Sequence, residues 1–338
     1  MKRIIVTRFS AMGDVAMVAS VLKEFVVQQK DVEIIFVSRV QFAPFFVDIP
    51  RVRFHVMDPK IKHKGIIGLI RLFRELKKYK PTEIADLHNN LRSLFLVFLF
   101  KASNYQVSIL DKRRKQKKLL TRRENKILRP LDPVTECYGE VFRKLGYNFT
   151  LSHQLNKVDR KIPRNLIHIF NSNDKKIGIA PFAKHKYKVF PIIKMEETIR
   201  DLCEKNYHIF LFGGSEEEKS ICEKWAKQYP KTTNTIGKHF LSEELDIIAN
   251  LDVMISMDSS GMHMASLVGT RCLSIWGATH PYAGFLGYGQ SMDDCIQVEH
   301  PARPSSIYGN KPCLCDGVEA IELVTVEMVT KKIEEVLG

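Results

Sequence analysis

The chain has no long apolar run. Its longest purely apolar stretch is Leu94 to Phe100, between Arg92 and Lys101, whereas a spanning helix needs roughly 20 such residues. The opening MKRIIVTRFSAMGD reaches Arg8 and Asp14 too early for the apolar core of a secretory signal, so a cytoplasmic location is expected. Cysteine is scarce and odd in number, seven in 338 residues and mostly isolated. That pattern fits reduced thiols better than a disulfide framework. Cys313 and Cys315 are the one close pair, and a C-x-C without a second pair is a weak metal signature. Glycine and proline are unremarkable, and with 45% hydrophobic and 27% charged residues the chain is neither disordered nor fibrous. No helix-turn-helix, RNP motif or zinc finger is present.

What the chain does have is positive charge, placed unevenly. Residues 1–170 hold 34 Lys+Arg and 15 Asp+Glu, a balance of +19, while the rest of the chain balances at −5. The segment Asp111 to Lys126 alone carries nine basic and two acidic residues. A basic half followed by a mildly acidic half, in a chain longer than most single cores, implies two domains with different partners. A solvated charge run, nucleic acid, or a surface of anionic head groups or phosphorylated glycan would each account for the basic stretch.

Short β-branched runs alternate with amphipathic helical stretches, the pattern of open parallel α/β sheets. Strands are expected at Arg3–Thr7, Glu33–Ser38, Arg53–Met57, Ile84–Leu87 and Gln106–Leu110. A second set falls at Ile177–Ala180, His208–Phe212, Thr232–Ile236, Val253–Ser256 and Cys272–Trp276. A final helix is expected over Val326–Leu337. The polar segment Asn156–Lys176, with Pro163 and the NSND turn at Asn171–Asp174, reads as a linker. Ligands of such sheets bind beyond the carboxyl ends of the strands, so the chemistry is sought in the loops there.

The first strand ends in Arg8-Phe9-Ser10-Ala11-Met12-Gly13-Asp14 and runs into a helix. Gly13 would allow a tight turn. Asp14 falls where a helix N-cap would sit, or is a carboxylate able to take a proton from a hydroxyl. The second loop, Met257-Asp258-Ser259-Ser260-Gly261-Met262-His263, joins a strand to a helix N-terminus and suits a diphosphate, although a capped turn would look similar. The third, Ala180-Pro181-Phe182-Ala183-Lys184 with Lys186 and Lys188, could hold a cation over a leaving phosphate or be a solvated basic loop. Phe212-Gly213-Gly214-Ser215-Glu216 lacks phosphate-loop spacing and reads as a tight turn with Ser215 as helix cap.

These motifs resemble a known family. RIIVTRFSAMGDVAMVASVLKEF is similar to the N-terminal signature of the lipopolysaccharide heptosyltransferases, glycosyltransferase family 9, with its Arg-x-Ser-x-x-Gly-Asp loop. DSSGMHMASLVGTRCLSIWGATHP resembles the donor-site signature, and IGIAPFAKHKYKVFP resembles the middle motif that ends Lys-Arg-Trp-Pro. The order agrees over roughly residues 1–290. The sequence departs at Ser260-Gly261 where Gly-Pro is usual, at Val189-Phe190 for Arg-Trp, and at Phe182 for Gly.

The resemblance implies the GT-B fold, with two Rossmann-like doubly wound domains facing a central cleft. It implies an acceptor domain over 1–165, a nucleotide-sugar domain over 175–320, and a helix over 325–338 that packs back on the first. The implied activity is inverting, needs neither metal nor cofactor, and moves a sugar from ADP-L-glycero-D-manno-heptose to a phosphorylated lipid-linked glycan at the inner membrane face, not to nucleic acid. Residue by residue, Asp14 matches the catalytic base and Lys188 the lysine facing the donor phosphates. Ala183, Asp258, Ser259, Ser260, Gly261, Met262 and His263 match donor-binding positions. Candidate acceptor residues are Arg8, Gly13, His88, Arg92, Arg113, Arg114 and Lys117. The alternatives are a nucleotide-sugar epimerase or hydrolase on the same architecture, and a non-catalytic polyanion-binding protein.

Overall fold

The β-branched runs near the N-terminus become five parallel strands, β1 (Lys2–Thr7), β2 (Val32–Ser38), β3 (Val52–Val56), β4 (Glu83–Asp86) and β5 (Gln106–Ile109). They line up in the order β3-β2-β1-β4-β5. All of β2 is buried, as expected where helices cover both faces of a sheet. Helices α1 (Met12–Gln28), α2 (Gly65–Lys77), α3 (Leu91–Ala102), α4 (Arg114–Leu120) and α5 (Val134–Arg143) follow in chain order. Leu69, Leu72 and Leu76 of α2 and Leu96 and Phe100 of α3 pack on Ile5, Ile35 and Ile84. On the other side Phe25 of α1 meets Phe142 of α5 with ring centroids 4.5 Å apart. Each such large apolar side chain contributes roughly 1.5–3 kcal/mol by leaving water.

The computed structural model describes residues 1–338 and divides into two units, Met1–Arg113 with Asp132–His153, and Arg114–Leu131 with Gln154–Gly338. The second unit repeats the plan. Its helices are α6 (Ile167–Phe170), α7 (Ile192–Glu204), α8 (Glu216–Gln228), α9 (Leu241–Ala249), α10 (Ser260–Val268) and α11 (Val326–Leu337). Its strands β6 (Lys176–Ala180), β7 (His208–Leu211), β8 (Thr232–Asn234), β9 (Val253–Met257), β10 (Cys272–Ile275) and β11 (Cys295–Ile296) run parallel in the order β11-β10-β9-β6-β7-β8. In each sheet the order reverses once, between β1 and β4 and between β6 and β9. Loops leaving those neighbours diverge to opposite faces and open a crevice at the carboxyl edge.

Three expectations change. The basic stretch is not a piece of the first unit. From Arg114 onward it packs on the second, where the Lys126 ammonium donates to the carbonyls of Pro301 (2.8 Å), Ala302 (2.7 Å) and Pro304 (3.2 Å). Lys117 lies 4.4 Å from the centroid of the Phe285 ring. The final helix matches its expected span but packs on α7, with Val329 and Ile333 in the core of its own unit. The segment beginning at Asn156 is not a free linker. The Val158 amide donates to Val268 O at 3.0 Å, Arg160 pairs with Asp246 at 2.8 Å, and Gly269, at φ +76°, lies so close to the Asn156 carbonyl that a Cβ would overlap it. All seven cysteines are free thiols, with Cys313 and Cys315 buried beside Ala278 and Ala320. No helix is long and apolar enough to cross a membrane.

Candidate active site

In the first unit the chemistry gathers at the reversal between β1 and β4. Asp14 is not the N-cap of α1. Ala11 holds that position, and Asp14 sits three residues on, where its Oδ2 accepts the Ala11 amide at 3.2 Å. Gly13 accordingly lies within the helix and not in a turn. An acid in the first helical turn is favoured by the dipole, and a cation adds to it: Arg8 Nη2 pairs with Asp14 Oδ2 at 2.5 Å. The guanidinium also donates to Leu87 O at 2.8 Å and lies over the Tyr138 ring, 5.7 Å from its centroid. Burial alone would lower the Arg8 pKa, but Tyr138 and Asp14 outweigh it and raise it, so the cation is permanent. The hydroxyl of Tyr138, a fully buried residue of α5, donates to Asp14 Oδ1 at 3.3 Å. Asp14 is therefore oriented from three sides while its side chain keeps 22% of its surface exposed, enough for a hydroxyl to approach.

His88 follows β4. Its Nδ1 accepts the Phe9 amide at 2.9 Å, and its Nε2 lies 2.9 Å from Asn90 Nδ2. Burial and then Arg8 push its pKa down to about 3, so it is a neutral side chain near Arg8 and not a second cation. Behind it Asp86, fully buried, accepts from Thr7 Oγ1 (2.8 Å), the His88 amide (2.9 Å) and Ser93 Oγ (2.8 Å). Those bonds tie the ends of β1, β4 and α3 together and fix the floor under Arg8.

The other acceptor candidates scatter. Arg92 is exposed on α3. Arg113 is engaged by Glu140 at 2.5 Å and Asp132 at 3.3 Å. Arg114 and Lys117 belong to the second unit.

In that unit the site forms at the reversal between β6 and β9. Lys188, in a single 3-10 turn at Lys186–Lys188, pairs with Asp258 just past β9, Nζ to Oδ2 2.9 Å, with side chains 15% and 6% exposed. Ser259 is the N-cap of α10, yet its side chain makes no capping bond and instead lies 3.3 Å from Ser256 Oγ. Ser260 and Gly261 begin the helix. A Cβ on Gly261 would stand 2.6 Å from Ala180 Cβ and 2.8 Å from Ser256 Oγ, so glycine is what lets α10 sit this close to β6 and β9. Met262 and His263 are buried in the first turn, and Ala183 is half-buried on the β6 loop. Phe190 is fully buried and belongs to the core instead of lining the site. Ser215 caps α8 as expected, accepting the Glu218 amide at 3.2 Å.

Two supports of Lys188 carried no sequence signal. Gly309, at φ +74°, lies against the lysine stem so closely that a Cβ would overlap Cγ and Cδ. Its turn is gathered by Ser306 Oγ, which accepts the amides of Gly309 (2.9 Å) and Asn310 (3.2 Å). Arg303 is 1% exposed and donates to the carbonyls of Gly277 (2.7 Å), Thr279 (2.9 Å) and Val298, fastening this segment to the end of β10. Glycine and serine in a Pro-rich stretch read as ordinary loop chemistry, and only the three-dimensional path shows what they press on.

Known proteins share this sequence pattern and this fold. Glycosyltransferase family 9 (heptosyltransferase) matches residues 69–306. Lipopolysaccharide heptosyltransferase 1 of Campylobacter coli is 26% identical over 311 residues, 83% of this chain and 85% of that protein. The glycosyltransferase family 9 structure from Veillonella parvula superposes with a TM-score of 0.76 at 19% identity, covering 99% of this chain and 97% of the other. Heptosyltransferase WaaC of E. coli, solved with ADP-2-deoxy-2-fluoro heptose, gives a TM-score of 0.68 at 17% identity, with 98% and 99% covered.

Proposed function

The chain belongs to glycosyltransferase family 9, the heptosyltransferases, and on that premise we propose that it moves heptose from an ADP-linked donor to a phosphorylated, lipid-linked inner-core glycan with inversion at the anomeric carbon. The observation that carries this reading is the pairing of Arg8 with Asp14 beside a buried tyrosine hydroxyl. It holds a carboxylate beside a fixed cation at the edge of the sheet where a ligand would lie.

In this mechanism the second unit binds the donor. Its diphosphate takes the Lys188 ammonium and the free amides at the start of α10, which carry the charge that a divalent cation would otherwise neutralise. Asp258 is an acceptor-only group and repels phosphate, so its part is to aim Lys188 and to accept sugar hydroxyls. An acceptor hydroxyl, hydrogen-bonded to Asp14, attacks the anomeric carbon. Its proton passes to Asp14 as the C–O bond to the sugar forms, and the bond from the sugar to the diphosphate breaks on the opposite face. ADP leaves with the electron pair, stabilised by Lys188.

Donor choice is read by thermal shift with ADP-, UDP- and GDP-sugars. ADP-heptose is expected to raise the melting temperature in proportion to the logarithm of its concentration, while UDP- and GDP-sugars leave it unchanged. Stabilisation by a UDP- or GDP-sugar alone would replace the donor in this reading.

A further inference from the structure

We propose that the first turns of α2 and α3, with the loop that leads into α2, form a surface that docks on an anionic lipid bilayer. The inference builds on the reading that the acceptor glycan is lipid-borne and names where the first unit meets the lipid.

Both helices follow parallel strands, so both begin at the carboxyl edge of the sheet, the edge that carries Arg8, Asp14 and His88. They are neighbours, with Phe73 of α2 meeting Phe100 of α3 edge-on at 4.8 Å. At that edge Ile61 is 82% exposed, Ile66 64%, Ile67 79% and Leu91 89%, and Phe98, two turns further along α3, is 63% exposed. None of these can turn inward. The buried seam of α2 is already filled by Gly68, Leu69, Leu72 and Leu76, and that of α3 by Ser93, Leu96, Val97 and Phe100. Gly68 shows how tightly the start of α2 is set, since a Cβ there would meet the His63 backbone. Leu91 and Phe98 are seven residues apart and share one outer face of α3. Single exposed apolar residues are ordinary, but a group of large ones on adjacent helix starts marks an interaction surface.

The charge around the patch identifies the partner. Lys60, Lys62, Lys64, Arg71 and Arg92 surround it and are exposed. The acids in the same stretches, Asp58 and Glu75, are both engaged. Asp58 Oδ1 accepts the amides of Lys60 (2.9 Å) and Ile61 (3.1 Å), and Glu75 pairs with Lys62 at 3.0 Å. Apolar side chains set among cations match the head-group and acyl boundary of an anionic bilayer. A second copy of this chain would bring the same cations against one another. Docked this way, the sheet edge bearing Asp14 faces the layer in which a lipid-linked glycan is anchored.

The test is flotation of the full chain with phosphatidylcholine vesicles, with and without phosphatidylglycerol, in the absence of donor and glycan. The chain is expected to float with the anionic vesicles only, and to be released as salt is raised. The variant Ile66→Asp, Ile67→Asp, Leu91→Asp should partition at least about tenfold less, because binding scales with buried apolar area, with an unchanged melting temperature. Asp14→Asn should float like the parent chain, so that failure of this surface and failure of the catalytic reading are told apart. Equal flotation of the triple variant would overturn the proposal. So would indifference to phosphatidylglycerol, or sedimentation as a dimer that the triple variant abolishes.

Discussion

Asp14→Asn is expected to lower kcat by about 10²–10⁴-fold, the usual worth of a positioned general base, with ADP affinity unchanged. Asparagine keeps the shape and one carbonyl-type oxygen, so the Ala11 amide retains its acceptor and the start of α1 is preserved. What disappears is the charge that Arg8 balances and the lone pair that would take the acceptor proton. Because Lys188 and α10 stand on the other unit, nucleotide binding has no physical reason to change. Steady-state transfer rates and calorimetric ADP titration check the two halves separately. Activity within tenfold of the parent chain would remove Asp14 from the mechanism. A fall in melting temperature is expected alongside, since the Arg8 guanidinium, with its side chain 10% exposed, would lose its counter-ion.

Lys188→Met should be the second large effect, and it has two components. The catalytic one is the loss of a preorganised cation at the developing diphosphate charge, a drop of roughly 10²–10³ in kcat. The structural one falls on Asp258, whose side chain is 6% exposed and would be left as an uncompensated charge. Breaking a buried pair by removing one partner costs about 3–5 kcal/mol. The double variant Lys188→Met, Asp258→Asn separates the two, because it removes the stranded charge without restoring a cation. It is expected to recover most of the melting temperature and none of the activity. Recovery of turnover in the double variant would mean that the lysine serves the fold alone.

Much of this was legible in the sequence because it is local. The α11 span agrees at both ends, and strands such as Lys2–Thr7 and Lys176–Ala180 differ from expectation by one residue, since β-branched runs and helical periodicity act within a few neighbours. Asp14, Lys188 and the Asp258–His263 loop likewise lie in short motifs at strand ends. What stayed hidden depends on long-range contact. Tyr138 reaches Asp14 across 124 residues, and Gly309 reaches Lys188 around the whole of the second sheet. The two-residue strand β11 is too short to show alternation.

Charge misled for the same reason. Split by chain halves, the balance is +19 and −5, but with Arg114–Leu131 packed on the second unit the two units carry +9 and +5. The apparent basic acceptor domain is thus largely a matter of chain order. Lys126 spends its charge on main-chain carbonyls. In the first unit, the exposed cations Lys60, Lys64 and Arg92 stand beside Ile61, Ile66 and Leu91 in the chain.

The most direct measurement of the central claim is the configuration of the product. The chain is incubated with ADP-heptose and the lipid-linked glycan, and the new linkage is read by the one-bond carbon–proton coupling at the transferred anomeric carbon. A single displacement assisted by Asp14 predicts a product whose anomeric configuration is opposite to that of the donor, formed with one ADP per sugar transferred. A product that retains the donor's configuration, or ADP released at the same rate without any glycan, would contradict it.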